Sequence, residues 1–461
     1  MDTRNDGAIR DARSLGTAKV LILGLQHMFA MFGATILVPI LVSGYFQAAC
    51  GEPLTRGLSV SVTLFCAGVG TLLFHVCSKM KVPAFLGSSF AFLGGFYTCA
   101  NLSSGIYADM SVNDKAAYAC GGIVIAGMLY LVLALIIKLV GVKRVMRFLP
   151  PVVTGPIIIC IGLSLASSAI SNASTNWFLA IVALAVIIIF NIWGKGMFKI
   201  IPILMGVVIS YAVALIMQLA GMTNPDGSAI LDFASIASSG WVGLPGFQLC
   251  KFDVTAILVM APIAIATMME HIGDMSAISA TVGENFIADP GLHRTLMGDG
   301  LATAFAGLIG GPANTTYGEN TGVLELSKVY DPMVIRIAAV FAIVLSFIPK
   351  FSAVISTMPS AIIGGISFML YGMISAIGVR NVVENQVDLT KSRNLIIAGV
   401  IFVCGLGFSD GLTFTIGTTS ITLTALAIAA IAGILLNAIL PGNDYEFGVN
   451  EKGDQNRGTH V

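Results

Sequence analysis

Charge is what this sequence has least of. Only 10% of its residues are Asp, Glu, Lys or Arg, against about 25% in soluble globular domains. With 56% hydrophobic residues, a water-soluble chain of this length has too little polar surface to cover its interior. That excludes a soluble enzyme or adaptor domain and leaves a polytopic membrane protein. Lys plus Arg and Asp plus Glu both number 24, so no positive excess points to nucleic acid. The eight cysteines are scattered without a C-x-x-C pair, which argues against a zinc site and against a disulfide framework. Residues 1–13, M-D-T-R-N-D-G-A-I-R-D-A-R, are charged and lack the apolar centre of a signal peptide. The first apolar run is therefore expected to remain as a span. No nucleophile–base pair, metal cluster or nucleotide loop accompanies the acids, so neither enzyme activity nor a cofactor is expected.

What is there is a succession of apolar runs. Fourteen candidate segments follow one another from Lys19 to Leu440, most close to the ~20 residues that cross a bilayer. The third (Val82–Cys99) and tenth (Gly311–Lys328) are short and interrupted. With the N-terminus inside, 20 of the 24 Lys and Arg residues fall on the cytoplasmic side; Arg56, Lys115, Lys251 and Lys350 fall outside. Such a bias sets orientation in multi-span proteins. It implies an even number of spans and two cytoplasmic termini.

The tenth segment organises the rest. In G-G-P-A-N-T-T-Y-G-E-N-T-G-V-L-E-L-S-K (310–328), Gly311-Pro312 stops a helix and Asn314–Tyr317 reads as a short extended piece. Gly318 allows a turn, and Glu319 opens a second half-helix. Irregular backbone at bilayer depth is tolerated only when buried in protein or lining a wet cavity. The third segment echoes it: Pro83-Ala84 aligns with Pro312-Ala313, and Ser88-Ser89-Phe90 with Tyr317-Gly318-Glu319. The two lie seven spans apart, an odd number, so the second repeat is inverted. Paired interrupted segments in corresponding halves point to the central site of an inverted-repeat transporter.

Intramembrane acids are costly and functional by default. In M-M-E-H-I-G-D of the eighth segment (Asp253–Ala280), Glu270 and Asp274 stand at i and i+4 on one helix face. Two carboxylates so close in a low dielectric do not both stay charged, which suits holding a proton or offering a hydrogen bond. The alternative for Asp274 is a solvated position at the helix end. Asp299, in M-G-D-G of the ninth segment, serves either coupling or backbone satisfaction. Glu325 reads as a solvated face. His27, beside Gln26 in the first span, is either a structural histidine or a brace for Glu270. No Lys or Arg occupies a span centre, so the site suits a neutral N–H donor ligand or a cation better than an anion.

Five motifs together give a specific resemblance: Gln26–Ala34 (Q-H-M-F-A-M-F-G-A), Pro83–Phe90 (P-A-F-L-G-S-S-F), Glu270–Gly273 (E-H-I-G), Asp289–Arg294 (D-P-G-L-H-R) and Asn314–Asn320 (N-T-T-Y-G-E-N). Across Lys19 to Leu440 the chain resembles the nucleobase–ascorbate transporter family, nucleobase:cation symporter family 2, in particular its bacterial uracil permeases. The resemblance implies an all-α protein of fourteen spans in two inverted sevens, with short strands in spans three and ten. It further implies a cytoplasmic tail (1–18), a core domain (19–140 and 253–349), a gate domain (141–219 and 350–440), an extracellular loop (220–252) and a second cytoplasmic tail (441–461). Its ligand lies between spans three, eight and ten. Carried over, the substrate-binding residues are Glu270, Glu319, Phe90 as the stacking ring, Tyr317 and Gly318, with His27 and Ala34 behind them; the reading of the ionisable residues adds Asp274, His27 and Asp299 as coupling candidates. The family's closing Thr-Arg is Ser327-Lys328 here, and Asp274 stands where some uracil members carry His.

In the family, Glu at the position of Glu319 goes with uracil and Gln with xanthine or urate. The chemistry agrees: two carboxylates accept from the ring N–H groups of uracil, while free backbone N–H groups at half-helix starts donate to its carbonyls. The expected function is uracil import across the inner membrane by proton symport, with H⁺ as the coupling ion, lipid as the surroundings and a homodimer formed through the gate. Sodium coupling, another nucleobase, or an anion exchanger or channel of the same fold are the alternatives.

Overall fold

A computed structural model of the chain describes residues 8–224, 227–231, 233–408, 411–416, 419–442 and 445. Helix α1 (Thr17–Cys50) runs into α2 (Val60–Cys77), which starts at Ser59 with its hydroxyl accepting from the Val62 N–H. The chain then extends into β1 (Leu86–Ser88), turns through a 3-10 segment at Phe90–Phe92 and enters the short α3 (Leu93–Ala100). Next come α4 (Val112–Val140), the brief α5 (Val142–Met146), α6 (Pro151–Ser164), α7 (Ala166–Ser174) and α8 (Trp177–Trp193). A short α9 (Met197–Ile200) precedes α10 (Pro202–Leu219), and α11 (Ala234–Ser238) lies in the loop that follows.

The second half opens with α12 (Val254–Met260), α13 (Ile263–Val282) and α14 (Leu292–Leu308). It repeats the strand and half-helix as β2 (Asn314–Thr316) and α15 (Glu319–Ser327). Then follow α16 (Pro332–Ser346), α17 (Pro349–Ser356), α18 (Ser360–Glu384) and α19 (Ser392–Gly407). A hairpin of β3 (Leu412–Ile416) and β4 (Thr419–Leu423) leads into the last helix, α20 (Ala425–Ile439).

Among the described residues, seven helices are long and apolar enough to cross a membrane, counting α6 with α7 and α12 with α13 as one each, or eight when α16 and α17, bent by 88°, also count as one. The fourteen apolar runs of the sequence exceed that number because several correspond to helices of 10–17 residues, including α8, α19 and α20. The fifth apolar run divides at Leu165 into α6 and α7, and the eighth divides near Pro262, which has no N–H to donate, into α12 and α13. The fourteenth run was read from Thr418, which lies outside the described residues; Thr419–Leu423 is strand and the helix starts only at Ala425. Its alternating Thr-Ser-Ile-Thr-Leu favours an extended backbone. The proposed C-terminal tail lies almost wholly outside the described residues.

The helices pack in two groups. In one, α14 lies against α2 and α4, α16 against α1 and α2, and α12 against α4. In the other, α18 lies against α6, α7 and α8, and α19 against α6 and α20. Helix α13 touches α6 and α20 across the seam, so the helix that carries Glu270 stands between the groups.

At the centre, β1 and β2 pair antiparallel with Leu86 opposite Thr316, Gly87 opposite Thr315 and Ser88 opposite Asn314. The ladder continues past the strands: Ser89 N–H donates to Ala313 O and Tyr317 N–H to Phe85 O, both at 2.9 Å. Each strand thereby satisfies backbone groups that lipid would leave bare. Phe90 and Gly318, which lead into the two half-helices, line the same space. Gly87 is required by this pairing, because a Cβ there would meet the Tyr317 ring carbons at 2.5 Å.

Two anchors fix the pair to its surroundings. Asn314 Nδ2 donates to Cys66 O on α2 (2.9 Å), and Thr303 Oγ1 on α14 donates to Asn314 O (2.9 Å). The stretch read as an N-terminal tail also contacts this half of the molecule. Ile9 N–H donates to Lys328 O and Tyr330 N–H to Ile9 O, while Arg10 pairs with Glu284. In the connector before α14, Lys81 pairs with Asp289 and its hydrogen bond holds that carboxyl below the ordinary range.

Candidate functional site

A cavity of about 170 Å³ lies against the strand pair. Phe90 comes to it from the turn after β1, Glu270 and Asp274 from α13, and Tyr317 and Gly318 from the end of β2. The i, i+4 spacing does what helical geometry dictates, putting both α13 carboxylates on the cavity wall. Asp274 is buried, and a Cβ at Gly318 would lie 2.9 Å from its Oδ1. Asp274 is therefore not a solvated helix-end residue. Gly318 is needed for this close approach of backbone to carboxylate.

Glu319 opens α15 as the sequence predicts for the half-helix, and its side chain lies outside the described residues. Tyr317 lines the cavity with its ring, but its hydroxyl is used for bracing: it donates to Ser88 O at 2.8 Å and lies 3.3 Å from Thr35 Oγ1 of α1. Phe90 is buried and forms an edge-to-face pair with Tyr371 of α18, with centroids 5.7 Å apart. That contact joins the two packing groups directly.

Three sequence candidates lie away from the cavity wall. Ala34 is buried on α1, one residue before the Thr35 that touches Tyr317. His27 is fully buried, and among the described residues neither of its ring nitrogens has a hydrogen-bond partner, so it does not brace Glu270. Asp299 is buried behind β2, where its Oδ2 lies 2.8 Å from His271 Nδ1 and accepts from Thr316 Oγ1 at 3.4 Å. These contacts tie it to α13 and β2 behind the cavity.

Several residues at the site escape sequence reading. His271 enters the sequence reading only as part of a motif, yet it is the partner of Asp299. The available signal was its place next to Glu270 on a helix otherwise lined with small and apolar residues. His75, near an apparent boundary, is fully buried and bonds Ala84 O at 2.9 Å, steadying the start of the broken third segment. The cavity mouth is charged. Glu325 of α15 lines it opposite Arg380 and Glu384 of α18, which pair with each other at 2.5 Å. Glu325 is exposed, as the sequence suggests, but faces this opening.

A second, larger space of about 1240 Å³ opens where α1 ends. Its lining is uncharged, with Ser43, Tyr45, Ser167 and Asn172 among the polar groups, and Phe90 belongs to it as well. One aromatic residue thus lines both a wide neutral vestibule and a narrow cavity bearing two acids. Chemically the cavity offers carboxylate acceptors, a flat apolar ring and backbone N–H groups at a half-helix start. It offers no cation at depth among the described residues: Arg380 is at the mouth.

Known proteins with related sequences or structures agree with one another. A profile of the Permease family matches residues 18–414. The chain is 40% identical to the uracil permease of Bacillus caldolyticus over 94% of each chain. It is 40% identical to that of Bacillus subtilis, covering 90% of this chain and 91% of the other. A putative pyrimidine permease of Escherichia coli is 35% identical over 94% and 92% of the two chains. In structure, the transmembrane domain of a cyanobacterial bicarbonate transporter aligns with a TM-score of 0.57 at 14% identity, over 94% of this chain and 99% of that one. SLC26A9 aligns with a TM-score of 0.61 at 12% identity, over 93% and 66% of the two chains. These likenesses identify a transporter fold shared by divergent sequences. By the profile match and the extent of its identity to the permeases, this multi-pass membrane protein belongs to the nucleobase–ascorbate transporter family, nucleobase:cation symporter family 2.

Proposed function

We propose that this protein imports uracil by proton symport, with alternating access between a core domain (19–140 and 253–349) and a gate domain (141–219 and 350–440). The observation that carries the reading is the cavity itself: two acids on one face of α13 beside Phe90 and the start of α15, in a chain 40% identical to uracil permeases. Glu270 and Glu319 accept from the two ring N–H groups of the base, backbone N–H groups at the half-helix starts donate to its carbonyls, and Phe90 covers one face. The ligand has no net charge, so it needs no cation at depth. Glu319 in place of Gln favours uracil over xanthine or urate.

Fourteen spans in two inverted sevens, with both termini in the cytoplasm and the chain in the inner membrane, complete the reading. The gate is also the expected dimer surface. Two spaces that share Phe90 support alternating access, since sliding one helix group past the other opens one space at the expense of the other. The proton rides on the α13 acids Glu270 and Asp274.

Uptake of labelled uracil by a uracil-transport-deficient host tests the assignment. Expression should restore accumulation, with cold uracil competing and xanthine or urate failing to compete. Accumulation displaced by xanthine in preference to uracil would transfer the assignment to a purine, and no nucleobase uptake would refute it.

A further inference from the structure

We infer that His271 is a positioning residue of the binding site, locking α13, α14 and β2 together through a proton it shares with Asp299. The inference rests on the reading of the cavity as the nucleobase site, and one arm of its test needs no ligand. His271 follows Glu270 on α13, and Thr316 precedes Tyr317 on β2. Each of these neighbours lines the cavity, while the His271 and Asp299 side chains are fully buried behind it. A shift between α13 and β2 would therefore displace Glu270 relative to Tyr317.

The hydrogen-bond geometry fixes where protons must be. Thr295 Oγ1 donates its single proton to Leu292 O at 3.0 Å. At 3.0 Å from His271 Nε2, it has only a lone pair left to offer, so Nε2 carries a hydrogen. On the other side, His271 Nδ1 is 2.8 Å from Asp299 Oδ2 and 2.7 Å from Thr316 Oγ1. Imidazole nitrogen and carboxylate oxygen in a dry interior do not sit that close without a proton between them. Whichever atom holds it, the pair is neutral as a whole, which makes its burial tolerable. Thr316 completes the triangle: its Oγ1 donates to Asp299 Oδ2 at 3.4 Å and lies 2.7 Å from His271 Nδ1.

The lock spans three elements and has a second attachment. Helix α14 supplies Asp299 and Thr295 at one end of β2 and, through Thr303 Oγ1 to Asn314 O (2.9 Å), holds the other end. Phe74 of α2 closes the edge of the imidazole, with ring centroids 6.3 Å apart. Removing the imidazole would leave Asp299 only Thr316 to bond, its Oδ1 already lacking a hydrogen-bond partner among the described residues. An uncompensated buried carboxylate is costly, and the nearest element able to give way is a three-residue strand.

The test uses the full chain in nanodiscs, reading uracil Kd and amide hydrogen exchange of the peptide covering residues 313–318. His271→Ala should raise Kd by about tenfold or more and speed exchange there by a similar factor, the scale of losing one buried charge-assisted bond. His271→Asn keeps an N–H where Nδ1 was and should stay within about threefold of the native protein on both readings, a difference well under one such bond. His271→Gln, whose amide reaches towards Thr295 instead, should behave like His271→Ala. Should His271→Ala fail to fold, the Asn and Gln variants decide: native-like Asn with defective Gln supports the lock, and equal or reversed behaviour overturns it. A lowered Tm with unchanged Kd and unchanged exchange would mean a merely structural histidine and would also overturn it. If the native protein binds no uracil, the nucleobase reading falls, while the exchange arm still judges whether His271 holds β2.

Discussion

At the scale of single residues, Phe90 lines both open spaces. Its ring stands roughly perpendicular to that of Tyr371 and lines the acid-lined cavity. Stacking needs a flat apolar face, not a particular side chain. Phe90→Tyr or Phe90→Trp should keep most of the uracil affinity, whereas Phe90→Ala should lose about 1 kcal/mol or more, roughly fivefold in Kd. Binding to purified protein by calorimetry checks this, and an unaltered Kd in the Ala variant would move the ligand elsewhere. Glu270 stood out in the sequence because intramembrane acids are rare, whereas Phe90 and Tyr317 came with the family resemblance; the structure lines one cavity with all three. His271 did not stand out. A histidine bonded on both nitrogens differs from an idle one such as His27 only through residues distant in sequence, here Thr295, Asp299 and Thr316.

At the scale of elements, the strand pair carries the site, and its tolerance for change is narrow. The ring of Tyr317 crosses Gly87 so closely that an added methyl would meet it at 2.5 Å. Its hydroxyl is held by Ser88 O and lies near Thr35, which restrains the ring from swinging aside. Gly87→Ala should thus separate β1 from β2 or eject Tyr317, costing about 1–3 kcal/mol as overpacking does. We expect a loss of thermal stability in detergent together with at least a tenfold loss of uracil binding, about 1.4 kcal/mol of that cost. Native stability with native binding would show that the strands pair otherwise. The interruption of both half-segments could be read from Pro83 and Pro312 because those residues limit the backbone locally. The register was out of reach: Leu86 opposite Thr316 depends on which chain segments meet across the fold. The break near Pro262 and the hairpin before α20 were likewise hidden, since hydropathy cannot distinguish an apolar strand from the end of an apolar helix.

At the scale of the whole molecule, the question is what drives accumulation. The vestibule where α1 ends is uncharged, the cavity behind Phe90 holds Glu270 and Asp274, and the mouth beyond it carries Glu325, Arg380 and Glu384. A neutral base crossing from the first space to the last gains nothing from the membrane potential by itself. A proton that moves with it supplies both charge and concentration gradient. Protonation of a carboxylate is favoured as pH falls, so in the proposed symport a proton shared by Glu270 and Asp274 would load at the more acidic face and leave at the more alkaline one. Uptake in proteoliposomes should rise as external pH falls, collapse with a protonophore and proceed without sodium. Asp274→Asn removes one of the two proton acceptors while leaving Glu270 to bind the base. That variant should lose uphill accumulation yet retain exchange of internal for external uracil, because exchange requires no net proton movement. Uptake that depends on sodium and ignores a pH gradient would sink proton coupling, and loss of exchange along with accumulation would place Asp274 in ligand binding instead.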